Sequence, residues 1–146
     1  IEQEKFGSVV PNQCEVTYIN HIPVCDVWKD HGELNKIFAN WKVDKNDSFL
    51  GKPESARLAM QYVLNTPEGG EPQGRLYINL HPAFSATDNV AIYVMTMVVR
   101  GKPFSDDQNG IMKFLDYGRE VIVKSFASVT SKEMHIVWER EDACTK

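Results

Sequence analysis

Long hydrophobic runs are missing from this chain of 146 residues. Its apolar stretches are short and strand-like, and none approaches the ~20 residues that a membrane-spanning helix needs. No membrane partner is therefore expected. Basic clusters are missing too. Lys and Arg number 16 against 20 Asp and Glu, for a net charge of −4, and the two signs are interspersed. Nothing forms the basic stripe that tracks a phosphate backbone, so nucleic acid is not an expected partner. Lys42, Lys45 and Lys52 are the densest basic group and read as loop charges. The start, with Ile1, Glu2 and Glu4, carries no basic-then-apolar signal segment. An opening on Ile1 suggests a fragment, a processed product or residues missing upstream.

Cysteine is scarce: Cys14, Cys25 and Cys144 make an odd count with no metal-type spacing. They read as reduced thiols of a cytoplasmic protein, with a Cys14–Cys25 disulfide as the lesser alternative. Cys14 lies near no helix N-terminus or cation that would activate it, and reads as a small buried hydrophobe. No G-x-S-x-G elbow is present. Gly69–Gly70 sits between two strand-like runs rather than before a helix, so it is no phosphate loop. No cofactor and no metal are expected, and the balance tips away from an enzyme.

What is present is an ordinary globular composition, 42% hydrophobic and 25% charged, in a length that suits one core. Cys14 to Ile22 alternates, with Cys14, Val16, Tyr18 and Ile22 opposite Glu15, Thr17, Ile19 and His21, which predicts a strand closed by Pro23. Residues 30–39 place Leu34, Ile37 and Phe38 on one helical face with Asp30 as N-cap, weakened by Gly32. Ala56 to Leu64 and Arg75 to His81 alternate around the turn-rich residues 66–74, predicting an antiparallel hairpin with positive φ at Gly69–Gly70. Val90 to Val99 is the longest predicted strand.

The last forty residues carry two helix starts. Ser105 with Gln108 fits a capping box, followed by an apolar stripe through Ile111, Phe114, Leu115, Gly118, Ile122, Phe126 and Val129. Gly118 within the stripe suits close approach to a sheet. Thr130 to Glu133 fits a second box, opening a short helix with Met134, Val137 and Trp138 inward and a tail from Glu139 that frays. The helix is expected to lie on the sheet through Ile111, Leu115, Ile122 and Phe126.

Function is carried by one inference about the sheet. Leu58/Met60/Tyr62, Leu76/Ile78/Leu80 and Val90/Ile92/Val94 form a face that the long helix covers. The opposite face then offers Ile19, Ala59, Val63, Tyr77, Tyr93, Met95, Met97 and Val99, diluted by Thr17, His21, Gln61, Asn79 and His81. Adjacent aromatics and methionines on a surface mark an interface or a ligand-lined groove. The candidate binding residues are Tyr77, Tyr93, Met95, Met97, His21, Asn79 and His81. What covers them is a second copy, an N-terminal half of the same chain, the 30–40 helix with the region around Trp28 and Trp41, or a small molecule. His21 and His81 with Glu15 would supply metal-ligand chemistry, but the spacing fits no ligand motif, and hydrogen-bonded residues at strand ends are the plainer assignment. Glu15 with Glu54 or Asp88 would make an acid–base pair, although nothing in the sequence brings them together.

Four stretches together resemble a known family: QCEVTYINHI (13–22), GRLYINLHPAF (74–84), YVMTMVVRGKP (93–103) and FLDYGREVIVKSF with MHIVWER (114–140). They are similar to the C-terminal half of a sporadically distributed, functionally uncharacterised family of bacterial proteins. The resemblance implies a longer parent whose N-terminal half has its own strand-rich pattern, and it brings no activity, cofactor or catalytic residue.

The expectation is one α+β domain over residues 1–146, the C-terminal part of a longer protein. Its order is β-α-β-β-β-α-α, with a four-stranded, mainly antiparallel sheet and the C-terminal helix packed on one face. Its function is expected to be binding or assembly through an apolar sheet face, as a homo-oligomer or against an N-terminal half of its own chain. The alternative is a small-molecule binder or enzyme with a groove on that face.

Overall fold

A computed structural model describes residues 11–41, 49–66 and 68–144, with side chains through Glu139. The lead-in over residues 1–10, Lys42, Lys45 and the tail residues 145–146 lie outside the described residues, as does the Cys144 side chain. The elements run β1 (Cys14–Pro23), α1 (Leu34–Ile37), β2 (Leu58–Leu64), β3 (Gly74–Phe84), β4 (Ala91–Gly101), α2 (Gln108–Val129) and α3 (Lys132–Cys144). The strands form one four-stranded sheet in the order β1-β4-β3-β2, with every neighbouring pair antiparallel. The α+β class and the expected element order are those observed.

Two hairpins build most of the sheet. Gly69 and Gly70 take φ of 77° and 99° in the β2–β3 connection, a region that glycine enters without a Cβ penalty. The β3–β4 turn is closed by the Ser85 N–H donating to the Val90 carbonyl at 2.8 Å. The first strand joins the outer side of β4, which leaves β1 and β2 as the sheet edges.

Side chains opposite one another in an antiparallel pair share a face. The pairs Val16↔Val99, Tyr18↔Met97 and Ile22↔Tyr93, then Leu76↔Val99, Ile78↔Met97 and Leu80↔Met95, place these residues together under the helices. Tyr93, Met95, Met97 and Val99 are all fully buried. The expected faces of β1, β2 and β3 agree with this arrangement. That of β4 is reversed: Ile92, Val94, Thr96 and Val98 lie on the other side.

Helix α2 packs along β1 and β4. Its buried positions are Gly110, Phe114, Gly118, Ile122 and Val129. The seam is therefore Phe114–Gly118–Ile122 at four-residue spacing, while Ile111, Leu115 and Phe126 flank it half-buried. Asp107, not Ser105, caps the helix. Its carboxylate accepts the Gly110 N–H at 2.8 Å and the Ser105 hydroxyl at 2.6 Å. The second cap is also later than expected, by one residue where the first was two: Ser131 Oγ accepts the Met134 N–H at 3.3 Å and donates to the Lys36 carbonyl at 2.6 Å. Helix α3 then runs to Cys144 rather than fraying from Glu139.

The helix expected over residues 30–39 shrinks to the single turn α1. Asp30 does not cap it: its carboxylate accepts the Gly32 N–H at 2.9 Å and binds the Lys52 ammonium. A Cβ at Gly32 would stand 1.9 Å from the Pro53 carbonyl oxygen, so backbone contact replaces helical winding there. The segment around this turn does not cover the second face of the sheet. Trp28, with no exposed surface, packs on Tyr93 at 5.2 Å between ring centroids, on the same side as α2.

Cys14 and Cys25 are free thiols near opposite ends of β1. Nine residue steps of strand separate Cys14 from Pro23, roughly 30 Å, which rules out a disulfide between Cys14 and Cys25. Among the described residues no helix is long and apolar enough to cross a membrane.

Candidate functional site: the bare face of the sheet

No described element covers the second face of the sheet. Read across β1, β4, β3 and β2, it presents the rows Glu15–Arg100–Arg75–Val63, Thr17–Val98–Tyr77–Gln61 and Ile19–Thr96–Asn79–Ala59. A fourth row holds His21, Val94 and His81. Ile19 is 62% exposed and Val63 48%. This is a mixed surface of hydroxyl, amide, imidazole and guanidinium groups among short aliphatic side chains.

The expected cluster of binding residues is divided by the sheet. His21, Tyr77, Asn79 and His81 stand on the open face. Tyr93, Met95 and Met97 are core residues on the reverse. Tyr93 is an anchoring post: its hydroxyl meets the His31 carbonyl and the Ala56 carbonyl, the latter at 2.9 Å. Burial pushes its phenol above the ordinary tyrosine value.

One corner of the open face is internally satisfied. Arg100 donates from Nε to Glu15 Oε2 at 2.8 Å, with Nη2 at 2.6 Å from the same oxygen, and Thr17 Oγ1 donates to Glu15 Oε1 at 3.0 Å. The bonds from Arg100, then Thr17, hold the Glu15 carboxyl below its usual range. The same guanidinium lies over the Tyr77 ring, 5.6 Å from its centroid. Glu15 is thus occupied. It also stands six residues along β1 from His21, roughly 20 Å away, too far to share a metal. His21 and His81 flank Val94 in one row, roughly 10 Å apart across two strand spacings. No group of three or more His, Cys, Asp or Glu able to hold a metal occurs among the described residues. Asp88 sits in the β3–β4 turn, where its carboxylate accepts the Val90 N–H at 3.3 Å, at the opposite end of the sheet from Glu15.

The other end of the open face is different. Arg57, Ala59, Asn79, His81 and Thr96 line a shallow depression of about 530 Å³. The register explains its shape: Ala59 and Thr96 lie on either side of Asn79, so short side chains bracket it, while Arg57 and His81 complete the lining. The backbone just before Arg57 is held firmly, because Ala56 N–H donates to the His31 carbonyl at 2.9 Å and the Ala56 carbonyl receives Tyr93. Among the described residues, the side chains of Arg57, Asn79, His81 and Thr96 have no hydrogen-bond or ion-pair partner. A second hollow of about 490 Å³ lies on the helix side, between β2 and the end of α2. Its floor is the apolar pair Leu76 and Ile78, and its Lys124 is already paired with Glu120 at 2.5 Å.

No family model, curated protein or solved structure matches the chain. The site therefore rests on its own geometry.

Arg57 and Thr96 carried no signal in the sequence. Arg57 lies within the predicted strand Ala56 to Leu64 but just before the observed β2, and Thr96 is one hydroxyl within a long apolar strand. Only the registers Ala59↔Asn79 and Asn79↔Thr96 bring them to one hollow.

Proposed function

We propose that this chain is a binding module whose working surface is the bare face of its sheet, and that the polar end of that face receives a small polar molecule. The observation that carries this reading is the set of hydrogen-bonding groups on Arg57, Asn79, His81 and Thr96, which gather around one depression without partners of their own. Binding sites concentrate a few convergent polar groups in a hollow of ~300–1,000 Å³, and the depression at about 530 Å³ lies within that range. No nucleophile with an adjacent base accompanies them, which favours binding over catalysis. A reducing, cytoplasmic setting suits the free thiols of Cys14 and Cys25. The test is a panel of polar metabolites followed by amide chemical shifts. Saturable changes at Ala59, Asn79, His81 and Thr96, abolished by Ala59→Leu, are the expected result. A silent panel rejects the reading.

The apolar side chains spread across the same face support a second reading, contact with a protein surface: a second copy or an N-terminal half of the bacterial parent that the resemblance implies. Ile19 and Val63 are exposed there beside half-buried Val94 and Val98. Four strands about 19 Å across and about 33 Å long present roughly 600 Å² in projection, near the ~800 Å² per partner of a standard interface. Light scattering of wild type and Ile19→Glu tests it. An unchanged monomer in both rejects self-association.

A further inference from the structure

We propose that the ligand of the depression is a small oxyanion, the carboxylate or phosphate of a low-molecular-weight metabolite, bound by Arg57 with Asn79, His81 and Thr96. This rests on the binding role of the open face argued above and adds its chemical class.

Charge separates this face from the rest of the molecule. The whole chain carries a net charge of −4. The strand positions of the open face, with Arg57, carry three arginines (Arg57, Arg75, Arg100) and one carboxylate (Glu15), a sum of +2 with histidines neutral. Of the three cations, Arg100 is consumed by Glu15 and Arg75 bonds the Gly74 carbonyl at 3.3 Å. Arg57 has no partner among the described residues. The single carboxylate of the face lies at the far corner, roughly 25 Å away by strand and residue spacing. Nothing acidic on the strands therefore competes for Arg57.

The groups around it are complementary to an oxyanion. A guanidinium presents five N–H donors in a planar fork that matches carboxylate and phosphate. The Asn79 amide has two more donors, the Thr96 hydroxyl one and a neutral His81 ring one. Asn79 and Thr96 are directly paired across β3 and β4, so their Cα atoms stand about 5 Å apart, close enough to grip one anionic group. The negative total charge argues for a small ligand rather than a polymer: a long polyanion would meet the repulsion of the whole chain, whereas a single anionic group feels chiefly the nearest cation.

The experiment is an amide chemical-shift titration of the full chain with inorganic phosphate and, separately, succinate. Wild type, Arg57→Gln and Ala59→Leu are compared at two salt concentrations. The expected result is saturable shifts confined to Ala59, Asn79, His81, Thr96 and their neighbours, with affinity at least tenfold weaker in Arg57→Gln and lost in Ala59→Leu. Whichever of the two probes saturates first assigns phosphate or carboxylate. Shifts that never saturate, or that scatter over surface lysines and persist in both variants, overturn the proposal. If neutral metabolites shift the same amides equally in wild type and Arg57→Gln, the oxyanion class is wrong while the binding face survives. If no probe moves any open-face amide, both fail. An unstructured oligonucleotide that binds far more tightly than phosphate, with a steep salt dependence, overturns the small-ligand assignment.

Discussion

Gly118 of α2 lies directly on Val16 of β1: a Cβ at 118 would stand 2.9 Å from Val16 Cγ2 and 3.4 Å from Val99 Cγ1. The close approach lets the helix settle against the strands and seals Phe114 and Ile122 beneath it, one exposed by 0% and the other by 1%. Alanine at 118 would gain about 1 kcal/mol of helix propensity. It would also press a methyl onto a β-branched side chain with little rotamer freedom, and overpacking of this kind costs about 1–3 kcal/mol. The expected outcome for Gly118→Ala is a net loss of about 1 kcal/mol in urea unfolding. Combining it with Val16→Ala should recover part of that loss beyond additivity. Strict additivity would mean that the two residues do not meet.

Neighbouring residues of β4 should respond in opposite ways to the same change. Met97 has no exposed surface, so Met97→Glu places an unpaired charge in the core, and a loss above about 4 kcal/mol is expected. Val98 faces the open side, and Val98→Glu should cost under about 1 kcal/mol. Far-UV circular dichroism with urea titration decides it. A folded Met97→Glu and an unfolded Val98→Glu would reverse the faces of β4.

The two phenylalanines of α2 differ in depth. Phe114 is fully buried, and its truncation to alanine should cost about 3–5 kcal/mol. Full burial of Phe126 would predict the same. It is instead half-buried and stacked on Trp138, with ring centroids 5.2 Å apart and planes at 28°. Phe126→Ala is expected to cost about 1–2 kcal/mol, mainly by loosening α3. Equal losses at the two positions would contradict this packing.

Acid should weaken the start of α2. The Ser105 hydroxyl, then the Gly110 N–H, hold the Asp107 carboxyl below its ordinary value. A carboxyl lowered by folding adds stability above its unfolded value of about 3.9, and that contribution is lost as the pH falls through the folded value. Asp107→Ala should therefore melt earlier than wild type at neutral pH, with the gap closing progressively below about pH 3.9. A gap that stays constant down to acid pH would show that the carboxylate charge plays no part in the cap.

Local chemistry was legible wherever one residue type decides the outcome. The hairpin was visible because Gly69 and Gly70 can take positive φ, and α2 because its apolar stripe repeats at helical spacing. Caps were less legible. Ser105, Asp107, Thr130 and Ser131 are all competent acceptors, and which one serves depends on where Gly110 and Met134 direct their N–H groups. The helix over 30–39 failed for a tertiary reason, since Gly32 is pressed against Pro53.

The sequence by itself determined the element order, the fold class and the two sets of side chains on each strand, because strand periodicity and turn residues are local properties. It could not determine which set of β4 is buried. Tyr93, Met95, Met97 and Val99 are apolar, and so are Ile92, Val94 and Val98, so only Thr96 and, at the strand end, Arg100 mark one side as the more polar. The hydrogen-bond register decided it, by setting Ile78 against Met97 and Leu80 against Met95. That one phase moved the methionines into the core and left Arg57, Asn79, His81 and Thr96 together on the open face.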